Sequence, residues 1–397
     1  MQFEEMKLSK DILDALTMMK FQEASPIQAQ SIPHLLEGRD LVGQAQTGTG
    51  KTAAFGIPII EKIDPNNRAP QALILCPTRE LASQIAEELK RICKCKRGIF
   101  VVPLYGGQSI GLQFSALRKG ANIIVATPGR MIDHLKRGSV KLNAIKMVVL
   151  DEVDEMLDIG FKQAIEEILS SVPKEGRQTV FFSATISPRI KELANKFLVD
   201  PVLVKATQEE VSSPNIEQFY LRVKESIKPG VLAEIINKHK LGLSLVFCNT
   251  KRQVDDLVEH LRMEGFFANG LHGDMRQSQR ERVMDGFRKG KTQILVATDV
   301  AARGINVNKI EAVFNYDLPQ SAEYYVHRIG RTGRAGHVGK AFTFVVGSQM
   351  HKLNFIQRFT KGQIVQENTA LDTGFSRDDR RESSSRPRFA ARSGAAY

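Results

Sequence analysis

The chain repeats itself. The stretch ALILCPTRELASQIAEEL, Ala72 to Leu89, aligns without gaps to SLVFCNTKRQVDDLVEHL, Ser244 to Leu261. Each reads as an apolar strand, a Cys-x-Thr turn and an amphipathic helix. A second pair, KGANIIVATPGR and KGKTQILVATDVAARG, brings Ala126-Thr127 over Ala297-Thr298 at nearly the same offset. One such pair arises by chance, but two in register argue for a duplicated domain.

Short runs rich in Val, Ile and Leu surround these repeats (LILC, NIIVAT, KMVVL, TVFFSAT, then LVFC, QILVAT, AVFNY), alternating with helical patterns such as QFSALRKG and FKQAIEEILSSV. Strands that are apolar throughout, in a βαβ rhythm, predict mostly parallel sheets covered by helices on both faces. The fold class is therefore α/β with two domains, 1–205 and 216–362, joined by the polar linker 206–215. Beyond 362 the chain turns rich in Ser and Arg and poor in aliphatics, which predicts a short disordered C-terminal tail, 363–397.

The net charge of +12 divides as +4 for residues 1–205, +7 for 206–362 and +1 beyond, so the basic surplus belongs to the folded domains and points to a polyanionic partner. No apolar run approaches the roughly 20 residues of a membrane span, and MQFEEMKLSK lacks the apolar core of a secretion signal. The spacing of Cys76, Cys93, Cys95 and Cys248 fits no four-ligand zinc pattern. A cytoplasmic protein with reduced thiols and no membrane partner is expected.

DLVGQAQTGTGKTAAF carries the clearest chemistry: a strand, a glycine-bearing loop and a helix opening at Lys51. Gly48 and Gly50 let Thr47, Thr49 and their neighbours turn backbone N–H groups onto phosphate oxygens. Lys51 can reach the β and γ phosphates, and Thr52 can ligate Mg²⁺. The usual pattern opens with Gly where this loop has Ala45. A second strand, KMVVL, delivers Asp151 to the same sheet edge, where ligands of parallel sheets collect. Asp151 can hold the metal, and Glu152 can orient and deprotonate the attacking water.

With these in place the chain resembles a DEAD-box RNA helicase with two RecA-like domains. The resemblance spans about residues 3 to 350. It rests on FQEASPIQ, AQTGTGKT, PTRELA, GG (Gly106, Gly107), TPGR, DEVD and SAT, followed by VFCNT, QSQR, ATDVAARGI and HRIGRTGR, in that order. It implies ATP and Mg²⁺ as cofactors, with Phe21 stacked on adenine, Gln28 bonded to its edge, and Gly304 and Asn306 near the nucleotide. It further implies catalytic roles for Lys51, Asp151, Glu152 and the arginine fingers Arg331 and Arg334, whose three-residue spacing with Arg328 puts them on one face if helical. Asp154, Ser183, Thr185 and His327 would couple the domains. Pro77, Thr78, Arg79, Gly106, Gly107, Thr127, Pro128 and Arg130, with Thr250, Gln277, Arg280, Thr298 and Asp299, would bind the RNA backbone without reading its sequence. The absence of Trp speaks against a base-stacking platform.

The implied activity is RNA-stimulated ATP hydrolysis driving local, non-processive unwinding of short duplexes or remodelling of RNA–protein complexes, by a monomer with ribonucleoprotein or RNA-decay partners. The alternative is an ATP-gated RNA clamp with little unwinding. Three positions depart from the family pattern: Val153 stands in place of Ala, Asn306 in place of Asp, and Lys20 in place of the Gly before the aromatic residue. Asn306 offers no charge to a ribose, Lys20 lies outside the expected contacts, and Val153 must fit two further methyls without moving Glu152.

Overall fold

A computed structural model describes residues 1–45, 48–205, 216–302, 307, 309–333, 338–360 and 364–371. The linker 206–215 lies outside these residues, as do Thr47, Gly304, Asn306, Arg334 and the chain beyond 371. The first sheet holds β1 (Leu41–Gln44), β2 (Ala72–Leu75), β3 (Val101–Leu104), β4 (Ile123–Ala126), β5 (Met147–Asp151), β6 (Gln178–Ser183) and β7 (Val202–Lys205), in the order β3-β4-β2-β5-β6-β1-β7. The second holds β8 (Ile216–Arg222), β9 (Ser244–Cys248), β10 (Ala268–Leu271), β11 (Ile294–Thr298), β12 (Ala312–Asn315), β13 (Gly339–Val345) and β14 (Ile364–Gln366), in the order β10-β11-β9-β12-β13-β8-β14. Every pairing is parallel. Advancing each strand of the first order by seven yields the second, so the two sheets share one topology. β14 lies past the boundary expected at 362.

The apolar runs are apolar because both faces are covered. Along β5, Met147 and Val149 enter one core cluster while Val148 and Leu150 enter the other, and β2 and β4 alternate in the same way. The repeated segments agree residue by residue. Thr78 and Thr250 each cap a helix by accepting the N–H three residues on at 3.2 Å (Leu81 and Gln253). The buried face is Ala82, Ile85, Ala86, Leu89 in one helix and Val254, Leu257, Val258, Leu261 in the other, the spacing of one helical stripe.

By packing, the chain divides into two compact units. The first comprises 1–214 with 272–285 and 299–308, and the second comprises 215–271, 286–298 and 309–397. Each is described separately below.

Candidate functional site

In the first unit, β1 runs into the glycine loop and the helix Lys51–Lys62. Gly48 and Gly50 have φ of 86° and 92°, a left-handed backbone that glycine adopts without steric cost. A side chain at Gly50 would also overlap Gln28 Nε2. The loop is braced from outside by the start of the helix Pro26–Leu36. Ser25 Oγ donates to the Thr49 carbonyl at 2.7 Å, and Gln28 Nε2 donates to the Gly50 carbonyl at 3.0 Å. Gln28 Oε1 in turn accepts the Ser25 N–H at 2.9 Å, the reciprocal capping arrangement of Ser-x-x-Gln. Ser25 was not among the expected site residues, although Ser-x-x-Gln before an apolar run is a legible signal for it. Gln28 keeps one amide hydrogen and one lone pair for other partners. Phe21 lies against Phe3, ring centroids 6.3 Å apart.

Lys51, Asp151 and Glu152 are 6%, 3% and 4% exposed. Lys51 Nζ lies 3.7 Å from Asp151 Oδ1 and donates to the Ala45 carbonyl at 3.2 Å. Burial raises the Asp151 pKa, opposed by Lys51 and by the Glu152 N–H bonded to its Oδ1 at 3.0 Å. Glu152 turns the chain from β5 into the helix Val153–Asp158 with φ 53° and ψ 54°. That left-handed conformation costs a residue with a Cβ about 1–2 kcal/mol. It throws the Glu152 side chain out of the strand direction, next to the metal-competent Asp151. Cys76, buried at the end of β2, has a thiol pushed well up by burial and by the two carboxylates, so it is a packing residue without nucleophilic character.

Asp154 clamps the end of β6. Its Oδ2 accepts from the Ala184 N–H (3.0 Å), the Thr185 N–H (2.9 Å) and the Thr185 hydroxyl (3.2 Å), while its own N–H faces Ser183 Oγ at 3.4 Å. The contact expected to tie two domains together is thus internal to the first unit, where it joins the Glu152 turn to its neighbouring strand.

The carboxyl ends of β2, β3 and β4 form the second cluster. Pro77 is buried, Thr78 and Thr127 precede helices, and Pro128 begins one. Between them the Gly106–Gly107 loop rests on the Arg79 guanidinium. Gly107 has φ 81°, and a Cβ there would overlap Arg79 Nη1. Arg130 donates from Nη1 and Nη2 to the Gln108 carbonyl at 3.1 and 3.2 Å, and from Nη1 to Gln113 Oε1 at 2.9 Å. Its side chain is 13% exposed, so Arg130 organises this loop in addition to any outside contact. Within the same unit, Gln277 Oε1 accepts from Arg79 Nη1 at 3.3 Å, and Arg280 Nη2 pairs with Glu80 at 2.7 Å.

In the second unit, the helix Ala322–Ile329 carries His327 and Arg328 and ends before Arg331. Arg328 and Arg331, expected on one helical face, are therefore not on one helix, and Arg334 lies outside the described residues. Arg328 is a structural residue, 2% exposed. It lies over the Phe247 ring at 5.1 Å and donates to the Asp317 carbonyl at 2.6 Å and to Asn315 Oδ1 at 3.3 Å. Arg331 is 7% exposed and Thr250 is exposed. Thr298 ends β11 and Asp299 opens the next helix, both half-buried.

Two of the three departures from the family pattern have physical accounts, and the third, Asn306, lies outside the described residues. Lys20 has φ 61°, so a glycine suits this position for its backbone freedom, and Lys20 carries strain that the sequence reading missed. Val153 is fully buried in the cluster that also holds Leu150, Met156 and Phe181. Removing its methyls in Val153→Ala should cost roughly 1–3 kcal/mol of stability and leave ATP turnover within about threefold, because the side chain faces the core and not the chemistry. Thermal melting and steady-state turnover check the two halves of this expectation.

Among the described residues no three His, Cys, Asp or Glu side chains gather to form a metal cage. Thr52 and Asp151 nevertheless supply the hard oxygen donors that suit Mg²⁺ carried in with phosphate oxygens. Two positive-φ glycines, a helix N-terminus and a buried lysine above them fit a nucleotide's phosphates.

Comparison with known proteins agrees with this geometry. Residues 25–193 match the family DEAD/DEAH box helicase and residues 227–336 the family helicase conserved C-terminal domain. The chain is 50% identical to the DEAD-box ATP-dependent RNA helicase CshA of Geobacillus kaustophilus over 359 residues, covering 90% of this chain and 76% of that protein. It is 49% identical to CshA of Bacillus subtilis, covering 90% and 72%. Among solved structures, S. cerevisiae Dbp5 bound to RNA and ADP BeF3 superposes with a TM-score of 0.84 at 34% identity, over 92% of this chain and 95% of that one. Mss116p bound to ssRNA and AMP-PNP gives 0.84 at 29%, over 93% and 79%.

Proposed function

Since this chain belongs to the DEAD-box family of helicases, we propose that it couples RNA-stimulated ATP hydrolysis to local unwinding of short RNA duplexes or remodelling of RNA–protein complexes. The observation that carries this reading is the buried Lys51–Asp151 pair under the two left-handed glycines, with Glu152 held on the strained turn beside it.

The N–H groups of the glycine loop and the first turn of the helix Lys51–Lys62 bind phosphate. Lys51 exchanges the Ala45 carbonyl for a phosphate oxygen, the stronger acceptor for an ammonium group. Thr52 and Asp151 would hold the Mg²⁺ that accompanies the nucleotide, whose charge offsets that of the phosphates. Glu152 orients a water and takes its proton. Asp154 fixes the Glu152 turn through β6, so Ser183 and Thr185 act on the chemistry indirectly. The remaining donor and acceptor of Gln28 face adenine, with Phe21 at its ring. The family resemblance assigns Arg331 and Arg334 to charge on the γ-phosphate, and Gly304 and Asn306 to the ribose. RNA backbone is held by helix starts and arginines: Pro77, Thr78, Arg79, Gly106, Gly107, Thr127, Pro128 and Arg130, with Thr250, Gln277, Arg280, Thr298 and Asp299. On this reading the protein acts in the cytoplasm as a monomer with ribonucleoprotein or RNA-decay partners. Among its described residues no helix is long and apolar enough to cross a membrane.

Phosphate release measured with RNA and with DNA of the same sequence tests this function. RNA should raise turnover about tenfold or more, and DNA should leave it near the basal rate, because 2′-OH contacts are lost. Equal stimulation by both sinks the RNA assignment. ATP-dependent RNA retention without phosphate release replaces it with the clamp.

A further inference from the structure

Beneath the cluster at the ends of β2, β3 and β4 lies a buried polar chain that none of the roles above uses. Gln113, in the helix Ile110–Arg118, is 2% exposed, and His134, in the helix Pro128–Lys136, is fully buried. The Gln113 amide has a fixed orientation. Its Nε2 donates to the Tyr105 carbonyl and to Gln108 Oε1, both at 2.9 Å. Its Oε1 therefore faces Arg130 Nη1 at 2.9 Å and His134 Nε2 at 2.9 Å. All four hydrogen-bonding positions of the amide are filled.

Because Oε1 can only accept, His134 Nε2 carries a hydrogen. Burial, followed by the charge of Arg130, lowers the His134 pKa and favours the neutral ring. The single hydrogen of the Ser139 hydroxyl has two acceptors in reach, Nδ1 at 2.8 Å and the His134 carbonyl at 3.0 Å. The ring is held edge-on by Phe114, centroids 5.5 Å apart at 90°. An apolar pair in this space would leave the Tyr105 carbonyl without the Gln113 donor and Arg130 Nη1 without one of its acceptors. The polar pair instead fixes one side of the Arg130 guanidinium, whose other side carries the Gln108 carbonyl and hence the Gly106–Gly107 loop seated on Arg79.

We propose that Gln113 and His134 are positioning residues that set RNA affinity by holding Arg130 and the Gly106–Gln108 loop in the backbone-binding arrangement. The assignment rests on the RNA-binding reading above. Neither side chain touches RNA; each acts through Arg130.

Steady-state ATPase of the full chain, titrated with a single-stranded RNA, tests it. Gln113→Met keeps length and volume but removes the acceptor of His134 Nε2 and one of the two acceptors of Arg130 Nη1, which keeps the Gln108 carbonyl. A buried group losing its partner costs enough to raise the half-saturating RNA concentration about tenfold. Turnover at saturating RNA should fall no more than about threefold, since an arrangement fixed by bound RNA no longer needs the brace. His134→Phe, which keeps the ring against Phe114, should shift the half-saturating concentration in the same direction. His134→Gln, which can still donate to Gln113 Oε1, should restore it to near the wild-type value. If Gln113→Met melts below assay temperature, the two His134 variants decide the question between them.

An unchanged half-saturating concentration in folded variants overturns the proposal, as does a loss confined to turnover at saturating RNA. Failure of RNA to stimulate the wild-type protein would instead overturn the functional reading itself, which separates the two outcomes.

Discussion

Replacing Glu152 with Gln should lower RNA-stimulated ATP turnover by about 10² to 10⁴-fold, the range that a positioned general base contributes, while ATP and RNA binding survive. The substitution is nearly isosteric, so the turn at φ 53° and the packing of Val153 behind it remain as they are. Lys51 and Asp151 keep their pairing, because Lys51 faces Asp151 Oδ1 and the Ala45 carbonyl while Asp151 accepts the backbone N–H of residue 152, contacts the substitution leaves in place. What is lost is the ability to take a proton from water. With hydrolysis blocked and binding intact, the variant should accumulate as a long-lived complex with ATP and RNA, visible as slowed RNA dissociation in the presence of ATP. Single-turnover phosphate release and RNA off-rates measure the two effects. Turnover within about threefold of wild type would remove Glu152 as the base.

The parts of this site legible in sequence were those whose chemistry demands particular residue types at fixed spacing. Gly48, Gly50, Lys51 and Thr52 must follow a strand and open a helix, and Asp151 must end a strand of the same sheet, here one strand removed, so the strands locate the candidate site. The central strands were readable because burial on both faces makes them continuously apolar, as in β2, β4, β5, β9 and β11. The outer strands were not. β3 contains Pro103, which breaks the apolar run yet is tolerated at the edge of the sheet. β7 and β14 expose alternate positions such as Leu203 and Val365, so they read as surface.

Side-chain commitments were less visible still. Nothing in the spacing of HRIGRTGR says that Arg328 is buried on Phe247 while its helix stops before Arg331. Nothing in DEVD says that Asp154 accepts from two backbone N–H groups of its own unit. Those facts depend on which helix faces which strand end, and a local pattern does not carry that information.

Duplication makes one more position interpretable, and it gives the other large expected effect. β8 corresponds to β1 in the shared topology, and the helix that follows it, Lys228–Lys238, corresponds to Lys51–Lys62. Both helices open on a lysine, and each lysine faces an aspartate at the carboxyl end of the strand two places away in its sheet: Lys51 on Asp151, the last residue of β5, and Lys228 on Asp317, two residues past β12, at 3.1 Å. In the second unit no glycine loop precedes the helix. The Glu225 carboxylate meets the Lys228 ammonium at 2.9 Å, so this lysine has two carboxylate partners. Lys228 is 2% exposed, lies over the Tyr316 ring at 5.1 Å and has become part of a core.

Lys228→Met should therefore destabilise the second unit by roughly 3 kcal/mol, the lower end of the cost of breaking a buried pair, because Asp317 keeps donors from the Asn249 N–H and Gln253 Nε2. Amide hydrogen exchange should show β8 to β13 losing protection while β1 to β6 keep theirs. Glu225→Gln should cost less than about 1 kcal/mol, because that carboxylate is 60% exposed and screened by water. Asp317→Asn added to Lys228→Met should recover part of the loss, since the stranded charge is then gone. Equal, small effects of Lys228→Met and Glu225→Gln would mean that the second unit's lysine is a surface ion pair and no longer the structural counterpart of Lys51.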